Sequence, residues 1–463
     1  MPAAELLVTL DRKADTPLRA QLEHALRESI RTGRLATGDR LPSSRMLAAD
    51  LGLSRGVVQE CYEQLVAEGY LVSRTGSGTT VARGVATTPA ESRQNTHVAA
   101  DRPLRRTVAD FVSGVPDLAA VPRTDWAWAV QDVCRTAPNT AFDYGDPLGV
   151  PELRESLAAY LRRVRAVDAT PDQVLVCNGM AQGLSLVLRA LAPSVVACED
   201  PGAIATAGAA AGAAGATVVP VPVDELGLDV SALAATRATA VVVTPAHQWP
   251  TGVVLAAERR HALLGWARDR GALVLEDDYD AEFRYDRDPV GTLQGLAPDH
   301  VVALGTVSKS LAPALRLGWA VVPPRLAGAV ARLKDATDRG TSALDQLALA
   351  RLIESGRYDR HLRRMRAEYA RRRTALVEAL AAHAPGVPVT GLAAGFHAVA
   401  HLPEGTDVDV VIARAGERGV GLYSMAANRS DHAAEPPRLV FGYGNTPVRA
   451  IRDGIAAVAD LLT

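Results

Sequence analysis

Lysine is scarce in this chain of 463 residues. Lys13, Lys309 and Lys334 are the only three among 50 basic residues, so nearly all positive charge is arginine. Cysteine is sparse too: Cys61, Cys134, Cys177 and Cys198 lie far apart, with no C-x-x-C pair. That spacing excludes the usual zinc arrangements and, in a chain this long, a disulfide framework. The expected setting is a reduced cytoplasm, with no metal. Net charge is −2, so no global basic field announces nucleic acid, and any DNA-binding surface must be local. Long apolar runs are also missing. The N-terminal "MPAAELLVTLDRKAD" holds a short apolar patch between acid and base, too short for a signal-peptide core. Residues 203–223 carry no charge, but they are mostly Ala and Gly and end in "VVPVPV". Alanine is too weakly apolar to drive insertion and proline spoils a helix, so this segment predicts a small-residue helix and a strand rather than a membrane span.

What is present divides the chain into three. The length exceeds one ordinary domain and allows a large core. Residues 1–82 read as a compact unit. "PLRAQLEHALRESI" places Leu18, Leu22, Leu26 and Ile30 on one helical face. "SSRMLAADLG" predicts a short helix ending at Gly52, a good residue just past a helix end. Ser54 then reads as the N-cap of a second helix, and "GYLVSRTGSGTTVA" as two strands around a Gly-rich tip. Residues 83–107 are rich in Thr, Pro, Ala and charge and read as a linker. From 108 to 463, runs such as "QVLVC", "AVVVT", "ALVLE" and "VVALG" alternate with helical stretches, the rhythm of a largely parallel α/β sheet. A long helical region follows from near 325, then a smaller α+β unit holding "GFHAVAHLP" and "RLVFGYG".

Helix, turn, helix and a Gly-tipped hairpin is the order of a winged helix-turn-helix. The helix opened by Ser54 is the recognition candidate, with Ser54, Arg55 and Gln59 on its first turns. Arginine suits guanine and glutamine suits adenine. Ser43, Ser44 and Arg45 open the preceding helix, whose N–H groups can meet phosphate. Arg74 and Gly76 fall at the wing tip. The alternative is a small interaction module with solvated charges.

In the large unit, "LGTVSKSLAPALRLGW" places Lys309 after a predicted strand, among hydroxyls and ahead of Arg316. Burial lowers a lysine's pKa and frees its amine to attack an aldehyde. Pyridoxal phosphate (PLP) needs a cup for its phosphate, an acid at the ring nitrogen and a donor to the ring oxygen. Thr306, Ser308 and Arg316 can hold phosphate. In "VCNGMAQGLSLVL", the N–H groups near Gly179, Met180 and Ala181 open a helix toward an anion. In "VLEDDYDAEFRY", Asp277 can hold the pyridinium proton and Tyr279 can donate to the ring oxygen. "TPAHQWPTG" follows another strand at the same edge.

Residues 33–82 closely resemble the GntR superfamily of bacterial regulators, whose DNA-contacting positions fall here on Arg45, Ser54, Arg55, Gln59 and the wing around Gly76. Gly56 and Val57 stand where that family often has hydroxylated residues. The succession "CNGMAQG", "HQWPTG", "EDDYD" and "SKS" with Arg316 resembles fold-type I aminotransferases over about residues 110–460. The two together are similar to MocR-type regulators. The resemblance implies a fold-type I domain with a smaller C-terminal subdomain, a PLP imine on Lys309 and a transcription factor that binds an operator. It also implies a homodimer, in which the tyrosine matching Tyr144 reaches the neighbour's phosphate, and an effector carboxylate held by Arg438. Where that family carries a ring-stacking aromatic after "EDPG", this chain has Ala203, so either a neighbour such as His247 or Trp249 covers the ring or PLP binds more weakly. A working aminotransferase with a DNA-binding appendage is the alternative. Within the regulator reading the effector is PLP itself, an amino compound, or both.

Overall fold

The computed structural model describes residues 10–12, 14, 16–74, 78–82, 107–280, 282–285, 291–434 and 436–463. Two compact units separate, Met1–Arg102 and Pro103–Thr463. The linker expected over 83–107 lies outside the described residues apart from Thr107, as do Gly76 and the extreme N-terminus.

The first unit holds α1 (Leu18–Arg31), α2 (Ser44–Leu51), α3 (Arg55–Ala67) and a hairpin of β1 (Leu71–Arg74) and β2 (Gly78–Val81). Its core is the aliphatic face read from the sequence. Leu22, Leu26 and Ile30 of α1 meet Leu47, Val58, Cys61, Leu65 and Val81, all buried. Gly52 ends α2 in the left-handed region, φ 62°, where glycine has no Cβ to clash. Ser43 caps α2 through Met46 N (3.2 Å), and Ser54 caps α3 through Val57 N (3.4 Å). The turn between the helices is therefore fixed at both ends.

The second unit opens with β3 (Ala109–Asp110), α4 (Arg123–Thr136) and α5 (Pro151–Arg165). Then come β4 (Val174–Cys177), α6 (Met180–Leu191), β5 (Val195–Asp200), α7 (Ile204–Ala213), β6 (Thr217–Asp224), β7 (Gly227–Leu228), α8 (Val230–Ala235), β8 (Ala240–Val243), α9 (Ala257–Arg270), β9 (Leu273–Asp277), β10 (Val301–Thr306) and β11 (Gly318–Val321). These strands form one sheet in the order β4-β11-β10-β9-β8-β5-β6-β7. The run β10-β9-β8-β5-β6 is parallel; β11 is antiparallel to both its neighbours, and β7 to β6. Alternate strand residues face opposite layers. Leu175, Val196, Leu275 and Leu304 meet α6, α7 and α10 (Pro324–Asp338) through Leu184, Ala211 and Val330. On the other side Val241 and Val274 meet Leu263 and Trp266 of α9.

After α10 come α11 (Ala343–Glu354), α12 (Arg357–His383), β12 (Val389–Thr390), β13 (His397–His401), α13 (Val408–Glu417), β14 (Val420–Gly421), β15 (Arg438–Gly442) and α14 (Val448–Leu462). β12, β13 and β15 make a small antiparallel sheet, and β14 pairs with β3. The uncharged stretch 203–223 is a small-residue helix followed by a strand, α7 and β6. No described helix is long and apolar enough to cross a membrane.

Candidate functional site

β4, β8, β9 and β10 point the same way, and their carboxyl ends carry the segments singled out in the sequence. Such an edge is where α/β sheets place ligands. Leu304 of β10 lies opposite Asp277, the last residue of β9. Three residues past β10, the half-buried Lys309 donates from Nζ to Gly114 O at 2.5 Å. Burial lowers the Lys309 pKa, and the Asp277 and Asp280 charges oppose that only in part.

Asp277 is buried, and its Oδ1 has no hydrogen-bond partner among the described residues. Burial pushes its carboxyl up to about 7, with Asp278 adding and Lys309 opposing. Arg165 grips Asp278 through two bonds of 2.6 and 2.8 Å, so the third acid of the "EDD" run is structural. A buried acceptor left open invites a donor from outside the chain.

The anion cup expected from the sequence falls at the start of α6. Gly179 precedes it at φ 83°, and a Cβ there would come within 2.8 Å of the Arg316 guanidinium. Arg316 itself sits at φ 51°, a left-handed conformation unusual for a side chain of this size, and donates to Asn178 O at 2.8 Å. α6 has no side-chain cap, so the N–H groups of Met180 and Ala181 stay available. Thr306 and Ser308 are buried and joined through their hydroxyls at 2.9 Å.

His247 does not stand alone. Its Nδ1 lies 2.8 Å from Asp280 Oδ2 and 3.3 Å from the Tyr279 hydroxyl, and its ring packs 4.6 Å from that of His397. Trp249 meets His397 edge-on at 4.9 Å and donates to Asn428 at 3.1 Å. Farther along the small sheet, Arg438 lines a 170 Å³ cavity with Thr251, His401 and Met425, and its Nε has no partner among the described residues. Tyr144 is 77% exposed, with the Arg339 guanidinium 5.3 Å from its ring.

In the first unit Ser43, Arg45, Ser54, Arg55 and Gln59 are exposed and Ser44 partly so. Ser43, Ser44 and Gln59 share a 530 Å³ cleft with Thr79 of the hairpin. Arg40, which the sequence did not single out, packs its guanidinium 2.9 Å from where a Gly78 Cβ would stand and bridges Thr80. Other residues missed in sequence are Asn178, Gln182, Lys334 and Asp338 behind the anion cup, and Gly114, which acts through its backbone. A backbone acceptor leaves no trace in sequence. Asn178 lies just before α6 and Gln182 on it, while Lys334 and Asp338 are on α10, so no short spacing joins the two pairs.

The fold and the site define a helix-turn-helix unit joined to an aminotransferase-like body. The family model described as "Bacterial regulatory proteins, gntR family" matches residues 18–81, and "Aminotransferase class I and II" matches residues 106–427. The chain is 36% identical over 468 residues to the probable rhizopine catabolism regulatory protein MocR of Rhizobium meliloti, covering 97% of this chain and 94% of that one. It is 33% identical to the HTH-type pyridoxine biosynthesis transcriptional regulator PdxR of Corynebacterium glutamicum, covering 99% of each. Among solved structures, the Thermus thermophilus alpha-aminoadipate aminotransferase LysN, complexed with N-(5'-phosphopyridoxyl)-L-leucine, matches with TM-score 0.69 and 26% identity over 76% of this chain and 91% of that one. The chain belongs to the GntR family of HTH-type transcriptional regulators, in its MocR-type branch with an aminotransferase-like domain.

Proposed function

We propose that this regulator binds PLP on Lys309 and that occupancy of the body sets how the head holds its operator. The observation that carries this is the open acceptor Oδ1 of buried Asp277, beside the half-buried amine of Lys309. The residues fit the cofactor: Asp277 accepts from a ring N–H, Tyr279 donates to the ring oxygen, and the Arg316 guanidinium lies against the glycine that opens α6. When bound, PLP supplies an aldehyde carbon and an electron-withdrawing ring. Lys309 supplies the amine, kept reactive by burial. Thr306, Ser308, Arg316 and the N–H groups at Gly179, Met180 and Ala181 bind phosphate. His247 and Asp280 hold the Tyr279 hydroxyl in place, and Trp249 stands nearby where Ala203 offers no ring.

Arg438 is the group for an effector carboxylate, since its fork pairs with that shape. The unit acts as a homodimer in the cytoplasm, with Tyr144 offered to the partner's phosphate. Ser43, Ser44, Arg45, Ser54, Arg55, Gln59 and Arg74, with the wing around Gly76, meet DNA. Operator affinity, measured for wild type and Arg438→Ala with PLP alone and with added amino acids, tests the coupling. Allosteric couplings are typically about 5–150-fold. An amino-acid effect that vanishes in Arg438→Ala identifies an amino-acid sensor. An equal response of both proteins to PLP alone, to which no amino acid adds, identifies a PLP sensor. No response of affinity or transcription to either ligand overturns the proposal.

A further inference from the structure

We infer that Asp338, at the last turn of α10, positions the anion cup at the head of α6 from behind, without touching the bound group. The inference rests on the PLP reading above.

Two side chains of the cup turn converge on one carboxylate oxygen. Asn178 Nδ2 and Gln182 Nε2 donate to Asp338 Oδ2 at 2.9 and 2.6 Å. Gln182 Oε1 in turn accepts from Asn178 N at 2.8 Å, and Asn178 O accepts from Arg316 at 2.8 Å. A continuous chain of hydrogen bonds therefore runs from Asp338 to the guanidinium of the cup.

The carboxylate is itself held. Lys334 Nζ donates to both its oxygens at 2.8 and 2.7 Å and to Thr341 at 3.1 Å, and Gly340 N donates to Oδ1 at 3.0 Å. Lys334 is 0% exposed. Burying an ammonium is costly unless it is paired and fully bonded. A chain with three lysines commits one to this place.

The N-cap of α6 is Gly179, which has no side chain to spend on the helix N–H groups. Glutamine at the third helical position often bonds back to the cap. Here Gln182 reaches one residue further, accepting from Asn178 N and donating to Asp338, so it occupies no helix N–H either. The first N–H groups of α6 are thus left for a ligand anion, and the turn that aims them is rigid.

The test compares affinity for PLP with affinity for pyridoxal, which lacks the phosphate, each read from the absorbance of its lysine adduct. Asp338→Ala should lower the preference for PLP over pyridoxal by about tenfold, the lower end of losses seen when an orienting partner is removed from a metal-binding side chain. Pyridoxal affinity itself should change little. Because Asp338→Ala strands the Lys334 charge, the same ratio is read in Gln182→Leu, where the Lys334–Asp338 pair remains; a loss in the same direction is expected. Equal weakening of both ligands, or an unchanged ratio in Gln182→Leu, overturns the role of Asp338. A wild-type protein that forms no adduct with either ligand overturns the PLP reading instead.

Discussion

The two units handle charge in opposite ways. In the head, charged side chains stand outside a small aliphatic core. Arg19, Glu23, Arg27 and Glu68 lace α1 to α3 at the surface, and Ser43, Arg45, Ser54, Arg55 and Gln59, all proposed to meet DNA, are exposed. In the body, acids are buried: Glu199, Glu276 and Asp277 are each pushed up to about 7, first by burial. A solvated charge can be lent to a polyanion at little cost, whereas a buried one must be matched by a specific partner. That contrast suits the function proposed above, with a large, repetitive ligand for the head and a small one for the body.

Lys309→Ala breaks the body's half of this contrast most severely. It should abolish the adduct that borohydride fixes, with the fold retained by circular dichroism; a persistent adduct would move the assignment to Lys13 or Lys334. Arg55→Ala should leave the adduct intact and cost about 1–3 kcal/mol in operator binding if it reads a guanine. Equal operator titrations for Arg55→Ala and wild type would refute the placement of the recognition helix. Binding of wild type should also fall steeply with salt as phosphate contacts release counterions.

A smaller effect sharpens the contrast from the body's side. A carboxyl whose pKa is higher folded than unfolded stabilises most below its ordinary value, 3.8 for Asp277, and that share is lost as pH rises through about 7. Cofactor-free wild type should therefore fall in Tm relative to Asp277→Asn as pH is raised from about 4 to 7, by about 2 °C or more. Parallel Tm curves for the two proteins would contradict the burial argument. Smallest is Ser54→Ala, which removes the α3 cap and should cost about 1 kcal/mol in the head's unfolding, with no change in PLP binding.

The head was legible because its signals are local. Ser54 and Gly52 announce the ends of helices by chemistry that acts over three or four residues, and the leucine spacing of α1 gives its buried face. In the body the strands and the segments at their carboxyl ends were equally plain. Their support was not. Asn178 and Gln182 meet Asp338 across 160 and 156 residues, and Lys309 meets Gly114 across 195. No spacing rule spans such distances. His397 looked like one more strand residue, although the fold packs its ring, tilted, against that of His247.

The unpartnered oxygen of Asp277 also bears on how long a molecule of this regulator survives. A ligand that binds the folded chain alone stabilises it by about 2.7 kcal/mol at a hundred times its dissociation constant. If PLP fills that acceptor as proposed, it removes a buried defect, and a chain made while the cofactor is plentiful should open less often to proteases than one made in its absence. Scarcity of the cofactor would then register twice, in the state of each molecule and in the number of molecules left to act.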